Sequence, residues 1–320
     1  MRKETATTMS QTDNAIREWA LGAVVSPPGT GRRIASVIMS PIAGGILLLF
    51  FWNVSAPARN ISTNGSASDV QTAINGASAG DTILIPAGTF NWTSRVIVRT
   101  DVSIQGTGQS STIILDSADA RGGAGNTLVA VSNPTPFACT ISGITFNGGP
   151  ATSGTGLLVQ IGTPALLHDC NFLSNGGLLD MVRFIVNGGV VWNCGFYDND
   201  QNEEAITFQN SNGSAGGVSA DWSTPDTMGT ADVGGKANTY VEDCVFTDMV
   251  LQAMDFSDNS RVVVRHNTFK DSSIVSHGLD SSPYGTRQWE VYNNNFVFDT
   301  SGKSPAGNSY PLNMNWWFFV

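Results

Sequence analysis

Charged residues make up only 13% of this 320-residue chain, and three short segments gather titratable side chains of kinds that do chemistry. "EEAITF" carries Glu203 and Glu204, "LQAMDFSDN" carries Asp255 and Asp258, and "SIVSHGLDSS" carries His277 and Asp280. Arg265, Arg287 and Glu290 lie nearby in the chain. Such groups can do three kinds of work. A carboxylate or an imidazole moves protons. A guanidinium neutralises an anion in a fixed geometry. Two aspartates three residues apart, here Asp255 and Asp258, can supply oxygen ligands to calcium. Zinc chemistry is not indicated, because no Cys-x-x-Cys or His-x-x-x-His spacing is present.

These groups can act together only if the fold stacks their segments, and a repeat in the sequence does so. "VRHNTF" ends at Phe269, and relatives of it end at Phe146, Phe172, Phe196, Phe246 and Phe296. The gaps are 26, 24, 50, 23 and 27 residues. A fixed period near 25 residues is the signature of a solenoid. The leucine-rich pattern and the 3.6-residue apolar stripes of helical repeats are both absent. Glycine, at 35 residues, is abundant, as are Asn, Ser and Thr, which suits turns and strands. The expected fold is therefore all-β: a right-handed parallel β-helix of about 25-residue coils.

Each column of such a stack has a meaning. Ile141, Leu167, Val191, Val241, Val264 and Val291 form an inward aliphatic ladder, and the phenylalanines an inward ring stack. Two residues before each Phe lie Cys170, Cys194, Cys244, Asn267 and Asn294. Asn there is expected in a left-handed turn, bonded to its stacked neighbour. Cys fills the same corner as a buried, reduced thiol. The 50-residue gap is either two coils or one coil with an insertion at 215–238. Upstream, Ser68 or Asp69 is expected to cap a short helix bearing Val70, Ala73, Ile74 and Ala77, which covers the open end of the stack. "TILIPAGTF" follows as the first strand.

The first 58 residues read as a leader. Arg32-Arg33 precede an uncharged apolar run, 34–56, and Ala56-Pro57-Ala58 is a small-residue processing site. A cleaved signal peptide and a membrane anchor through 34–56 both fit. In either case residues 59–320, the β-helix domain, are exported: secreted, periplasmic or on the cell surface. The domain is expected to continue beyond Val320, since "NWWFFV" would leave an apolar strand edge uncapped. The formal net charge of −10 excludes a nucleic-acid partner, because nothing neutralises phosphate.

"VQTAINGASAGDTILIPAGTF" followed by "VSIQGTG", and later "VRHNTF" and "WEVYNNNF", resemble the pectin-lyase-like β-helix superfamily, specifically its uncharacterised exported bacterial members. The resemblance covers about residues 69–298. It implies a polysaccharide partner held along one outer strand face, with lyase-type cleavage ahead of glycoside hydrolysis. A non-catalytic adhesin or tailspike-like protein is the alternative. Polygalacturonases carry Asp-Asp and Gly-His-Gly; this chain has only Ser276-His277-Gly278. The pectate-lyase Trp-x-Asp-His segment is absent too, so no catalytic residue carries over by motif. The residues themselves nominate His277, Asp255, Arg287 and Asp280 for catalysis. Glu203, Glu204, Arg265, Glu290 and Trp289 are the candidates for binding substrate, and Asp255 with Asp258 for calcium.

Overall fold

The computed structural model describes residues 41–42, 45–46, 57–117, 126–132, 135–148, 156–174, 178–197, 204–210, 238–249, 252–258, 260–276, 286–298 and 312–314. The chain divides into two compact units, Met1–Pro57 and Ala58–Val320. In the first, the short strands Pro41–Ile42 and Gly45–Ile46 pair antiparallel. No helix among the described residues is long and apolar enough to cross a membrane.

The second unit is a parallel β-helix. The chain visits three sheets in turn and returns to each one coil later. The first sheet has nine strands, from Asn60–Ser62 to Gln288–Tyr292, each hydrogen-bonded to its counterpart one coil away. The second has eight, from Gly88–Trp92 to Asn295–Val297, and the third eight, from Val96–Val98 to Leu312–Met314. Every pairing within these sheets is parallel.

The register follows the sequence repeat. Phe146, Phe172, Phe196, Phe246, Phe269 and Phe296 are successive partners in the second sheet. Their rings lie 4.5–5.4 Å apart and within 11° of parallel. Burying one such side chain is worth about 1.5–3 kcal/mol, and ring stacking adds about 0.5–1.5 kcal/mol per pair. The aliphatic ladder from Ile141 to Val291 is likewise continuous in the first sheet. Phe196 pairs directly with Phe246. The 50-residue gap is therefore one coil with an insertion, most of which lies outside the described residues.

Three local expectations are corrected. The left-handed residue is not the Asn267 or Asn294 slot but the one before it: Gly143, Asp169, Asn193, Asp243, His266 and Asn293 have φ between 50° and 68°. Gly, Asn and Asp tolerate that region best, and a one-residue corner needs only one such residue. At Gly143 the next turn approaches so closely that a Cβ on Gly106 would stand 2.2 Å from the Gly143 carbonyl oxygen. The helix spans Ala67–Gly76 and is capped by Ser66, whose Oγ accepts from the Asp69 amide at 3.3 Å, rather than by Ser68 or Asp69. Asp69 reaches back to accept from the Asn64 amide at 2.7 Å. Ala67, Val70 and Ile74 of this helix join the core, with Ala73 and Ala77 packed against it. Finally, "TILIPAGTF" is not the first strand. It forms two, Thr82–Leu84 and Gly88–Trp92, and Asn60–Ser62 precedes both in the first sheet.

The residues after the left-handed corner explain the Cys/Asn alternation. Asn267 Nδ2 donates to the Val241 and Arg265 carbonyls, both at 2.9 Å. Asn294 Nδ2 does the same with Val264 and Tyr292. Cys170, Cys194 and Cys244 direct their thiols at the equivalent pair of carbonyls, at 3.2–3.9 Å. A thiol is thus a weak substitute for the amide donor. Only asparagine also supplies an acceptor: Asn267 Oδ1 takes the Cys244 amide and Asn294 Oδ1 the Asn267 amide, each at 2.9 Å. All four cysteines are free and buried.

Candidate functional site

The third sheet carries the densest polar group among the described residues. Its strands Leu178–Phe184, Glu204–Gln209 and Gln252–Ser257 are successive partners. The segments "DMVRF", "EAITF" and "QAMDF" fall in register along them. Val182, Ile206 and Met254, and then Phe184, Phe208 and Phe256, join the apolar core. Met181, Ala205 and Ala253 are buried as well, and the other two columns belong to polar side chains: Asp180, Glu204 and Gln252 in one, and Arg183, Thr207 and Asp255 in the other.

Five of these residues form a bonded network, and Asp255 lies close enough for its charge to act on Glu204. Arg183 pairs with Asp180. Thr207 Oγ1 lies 2.6 Å from Asp180 Oδ1 and 2.5 Å from Glu204 Oε2. Gln252 Nε2 donates to Glu204 Oε1 at 2.6 Å. A hydroxyl has one proton and can donate to only one carboxylate. The second short contact requires a proton on one of the two acids. Burial raises both acids above the usual carboxylate range. For Glu204 the negative charges of Asp255 and Asp180 push further in the same direction, whereas for Asp180 the Arg183 guanidinium pulls back. These causes favour the proton on Glu204 over Asp180, which lies beside Arg183. Asp180 and Thr207 are each 1% exposed and Asp255 is 6% exposed. Glu204 is half-buried, and the Arg183 side chain keeps 13% of its surface. Glu204 and Arg183 are thus the members that a ligand can reach.

The sequence-nominated residues divide among three places. Glu204 belongs to this network, with Asp255 close enough for its charge to act on it. Asp258 is the left-handed residue that ends the same strand, φ 46°, and its carbonyl accepts from Asn210 at 2.9 Å. Arg287 is buried at the corner between the third and first sheets, its amide bonded to the Ser260 carbonyl at 3.0 Å, with Arg261 starting the neighbouring strand. Arg265 and Glu290 belong to the first sheet. Arg265 pairs with Glu242 at 2.5 Å, donates to the Tyr292 hydroxyl at 3.0 Å and lies over the Tyr240 ring. Glu290 accepts from Gln288 at 2.9 Å. Neither is part of the third-sheet network. Trp289 pairs in register with buried Val262 and packs on the core, 6.2 Å from the Phe256 ring, while part of it stays exposed. Glu203, His277 and Asp280 lie outside the described residues.

Asp180, Arg183, Thr207 and Gln252 were not nominated by the sequence. The signal that finds them is polar–x–x–polar–Phe, which recurs at Phe184, Phe208 and Phe256 at intervals of 24 and 48 residues. It belongs to a different sheet from the Asn/Cys–x–Phe motif and becomes visible once the coil phase is known.

Among the described residues no three His, Cys, Asp or Glu side chains are grouped to hold a metal ion. Calcium takes six to eight oxygen ligands. Asp255 and Asp258 would supply two of these.

No family model matches the chain, and no curated protein matches it in sequence. Solved structures do. A pectin methylesterase from carrot is 12% identical with a TM-score of 0.45, over 83% of this chain and 90% of that one. An alginate lyase from Paenibacillus sp. is 16% identical with a TM-score of 0.40, over 80% and 98%. The ORF18 protein of Geobacillus virus E2 is 14% identical with a TM-score of 0.36, over 79% of this chain; the match spans 59% of the viral chain's length.

Proposed function

We propose that this is an exported, carbohydrate-active β-helix protein that binds an acidic polysaccharide along the outer side of its third sheet and cleaves it by β-elimination. The observation that carries the reading is the Thr207 hydroxyl held between two acids, 2.6 Å from Asp180 and 2.5 Å from Glu204, which requires a proton on one of them. A neutral carboxylic acid, half-buried and hydrogen-bonded on both oxygens, is equipped to protonate a leaving group. Arg183, beside it and partly exposed, is a fixed cation for a uronate carboxylate. In the elimination the C5–H and C4–O bonds break and C4=C5 forms. The C5 proton passes to a base, for which His277, nominated by the sequence, is the candidate, and a proton held by Glu204 passes to the departing glycosidic oxygen. Export rests on the order of basic, apolar and small residues in 32–58.

A second reading has its own observation. Asp180, Thr207 and Asp255 are almost fully enclosed, as they would be in a purely structural polar ladder on a non-catalytic binding protein. One experiment separates the readings. The protein is incubated with a panel of uronate and neutral polysaccharides, with and without calcium or a chelator, and products are followed by ultraviolet absorbance and reducing ends. Elimination yields absorbing unsaturated uronates, lost about 10²-fold or more in Glu204→Gln. Reducing ends without absorbance indicate hydrolysis. Absence of both, with polymer still bound, establishes the non-catalytic reading.

A further inference from the structure

We infer that the corner between the first and second sheets carries a separate binding site for a neutral glycan. Ser62, Leu84, Gln105, Ser142, His168 and Trp192 are successive partners in one column of the first sheet, at its edge beside that corner. Two features adjoin along this column. At Leu84 and Gln105 an open cleft of about 510 Å³ lies against the corner, within the size range of small-molecule sites. No charged side chain lines it.

Two coils further along, at about 4.8 Å per coil, the rings of His168 and Trp192 are stacked 4.1 Å apart and 13° from parallel. His168 Nδ1 lies 2.6 Å from Asp169 Oδ2, and Asn193 Nδ2 donates to the other oxygen. The bond from His168 holds the Asp169 carboxyl below its ordinary range, so Asp169 is the acceptor and Nδ1 carries a proton. Neither His168 Nε2 nor the Trp192 indole N–H is bonded to another described residue. Both rings are held by stacking, and the imidazole also by its carboxylate, so little ordering remains for binding. Two polar ring nitrogens fixed in direction beside an uncharged cleft suit sugar hydroxyls and sugar C–H faces. The chain carries a net charge of −10 and the cleft offers no cation, so a uronate would be repelled and a neutral sugar would not. The span from Gln105 to His168, about 10 Å, fits an oligosaccharide rather than one sugar.

This inference is independent of cleavage at the third sheet. The test is affinity electrophoresis and calorimetry of the full chain against neutral glucan, galactan and mannan. The wild type is expected to bind at least one. Trp192→Ala and His168→Ala should each weaken that binding about tenfold or more. Gln105→Trp, at an exposed position, should do so by filling the cleft without touching the ring pair, and it decides the matter if a ring variant fails to fold. Glu204→Gln should bind the neutral glycan as the wild type does. No binding to any neutral glycan, or unchanged affinity in both Trp192→Ala and Gln105→Trp, overturns the inference. So does binding that is lost in Glu204→Gln, which would assign all glycan recognition to the third sheet.

Discussion

The inward column of the second sheet and the polar columns of the third obey the same geometry and opposite rules of composition. The inward column repeats one residue, phenylalanine, on six successive coils from 146 to 296. The polar columns never repeat: Asp, Glu and Gln in one, Arg, Thr and Asp in the other. Stacking at one-coil spacing multiplies whatever is stacked. For rings this adds contact area and favourable π geometry. For carboxylates it adds repulsion in a poorly solvated place. The chain answers with an arginine, a hydroxyl and an amide between the acids, and by favouring a proton on Glu204.

The largest effect that tests this contrast is truncation inside the column. Phe246→Ala removes a fully buried ring with partners on both sides. It should destabilise the protein by about 3–5 kcal/mol in urea unfolding. A loss below about 1 kcal/mol would mean that the stack is not a principal source of stability.

Next is the pH dependence of the network. The folded-state pKa of Glu204 is raised, so the folded form holds the proton more tightly than the unfolded chain. The stability this confers is complete below the unfolded carboxylate range and is lost as pH rises through the folded value. Glu204→Gln, which cannot ionise, should flatten that decline in thermal melts taken from pH 4 to 8. An unchanged profile would place the proton elsewhere.

Asp81 supplies the opposite case. Its carboxylate accepts from the Arg59 guanidinium at 2.6 Å and from the Ser78 and Arg59 amides at 2.9 and 2.8 Å, and its pKa is lowered, chiefly by Arg59. Its contribution is present above the unfolded carboxylate range and lost as pH falls through the lowered folded value. Asp81→Asn should therefore be less stable than wild type at neutral pH and should converge on it in acid. Equal differences at both ends would sink this assignment.

The smallest effect lies at the Cys/Asn corner. Cys244→Asn would give the Val191 and Glu242 carbonyls a stronger donor and add an acceptor for the preceding coil. It should stabilise by the worth of about one hydrogen bond, 0.5–1.5 kcal/mol, read as a raised melting temperature. Before substitution the thiols should be nearly inert in the native state. Cys170, Cys194 and Cys244 are at most 3% exposed, and burial pushes Cys170 and Cys244 well above the ordinary thiol range, so labelling should be slow until the protein is unfolded.

The sequence by itself determined the inward columns of the first and second sheets, the coil length and the upstream helix. It could do so because an apolar interior demands the same kind of residue at every coil. It also found two members of the third-sheet polar columns, Glu204 and Asp255, as acids in aligned segments. It missed Asp180, Arg183, Thr207 and Gln252, since the identity of the polar residue changes at every coil and the recurring Phe that marks their segments belongs to a different sheet from the Asn/Cys–x–Phe motif. Three matters were decided only by the tertiary structure. Phe196 pairs with Phe246, which makes 197–245 one coil with an insertion. The left-handed corner sits one residue before the Asn/Cys slot, because the slot's side chain turns inward to bond the carbonyls around it. Glu204 is driven further toward its protonated form than Asp180. That preference depends on charges brought within reach from coils before and after it, at Arg183 and Asp255, and a linear chain does not order those distances until the coils have stacked.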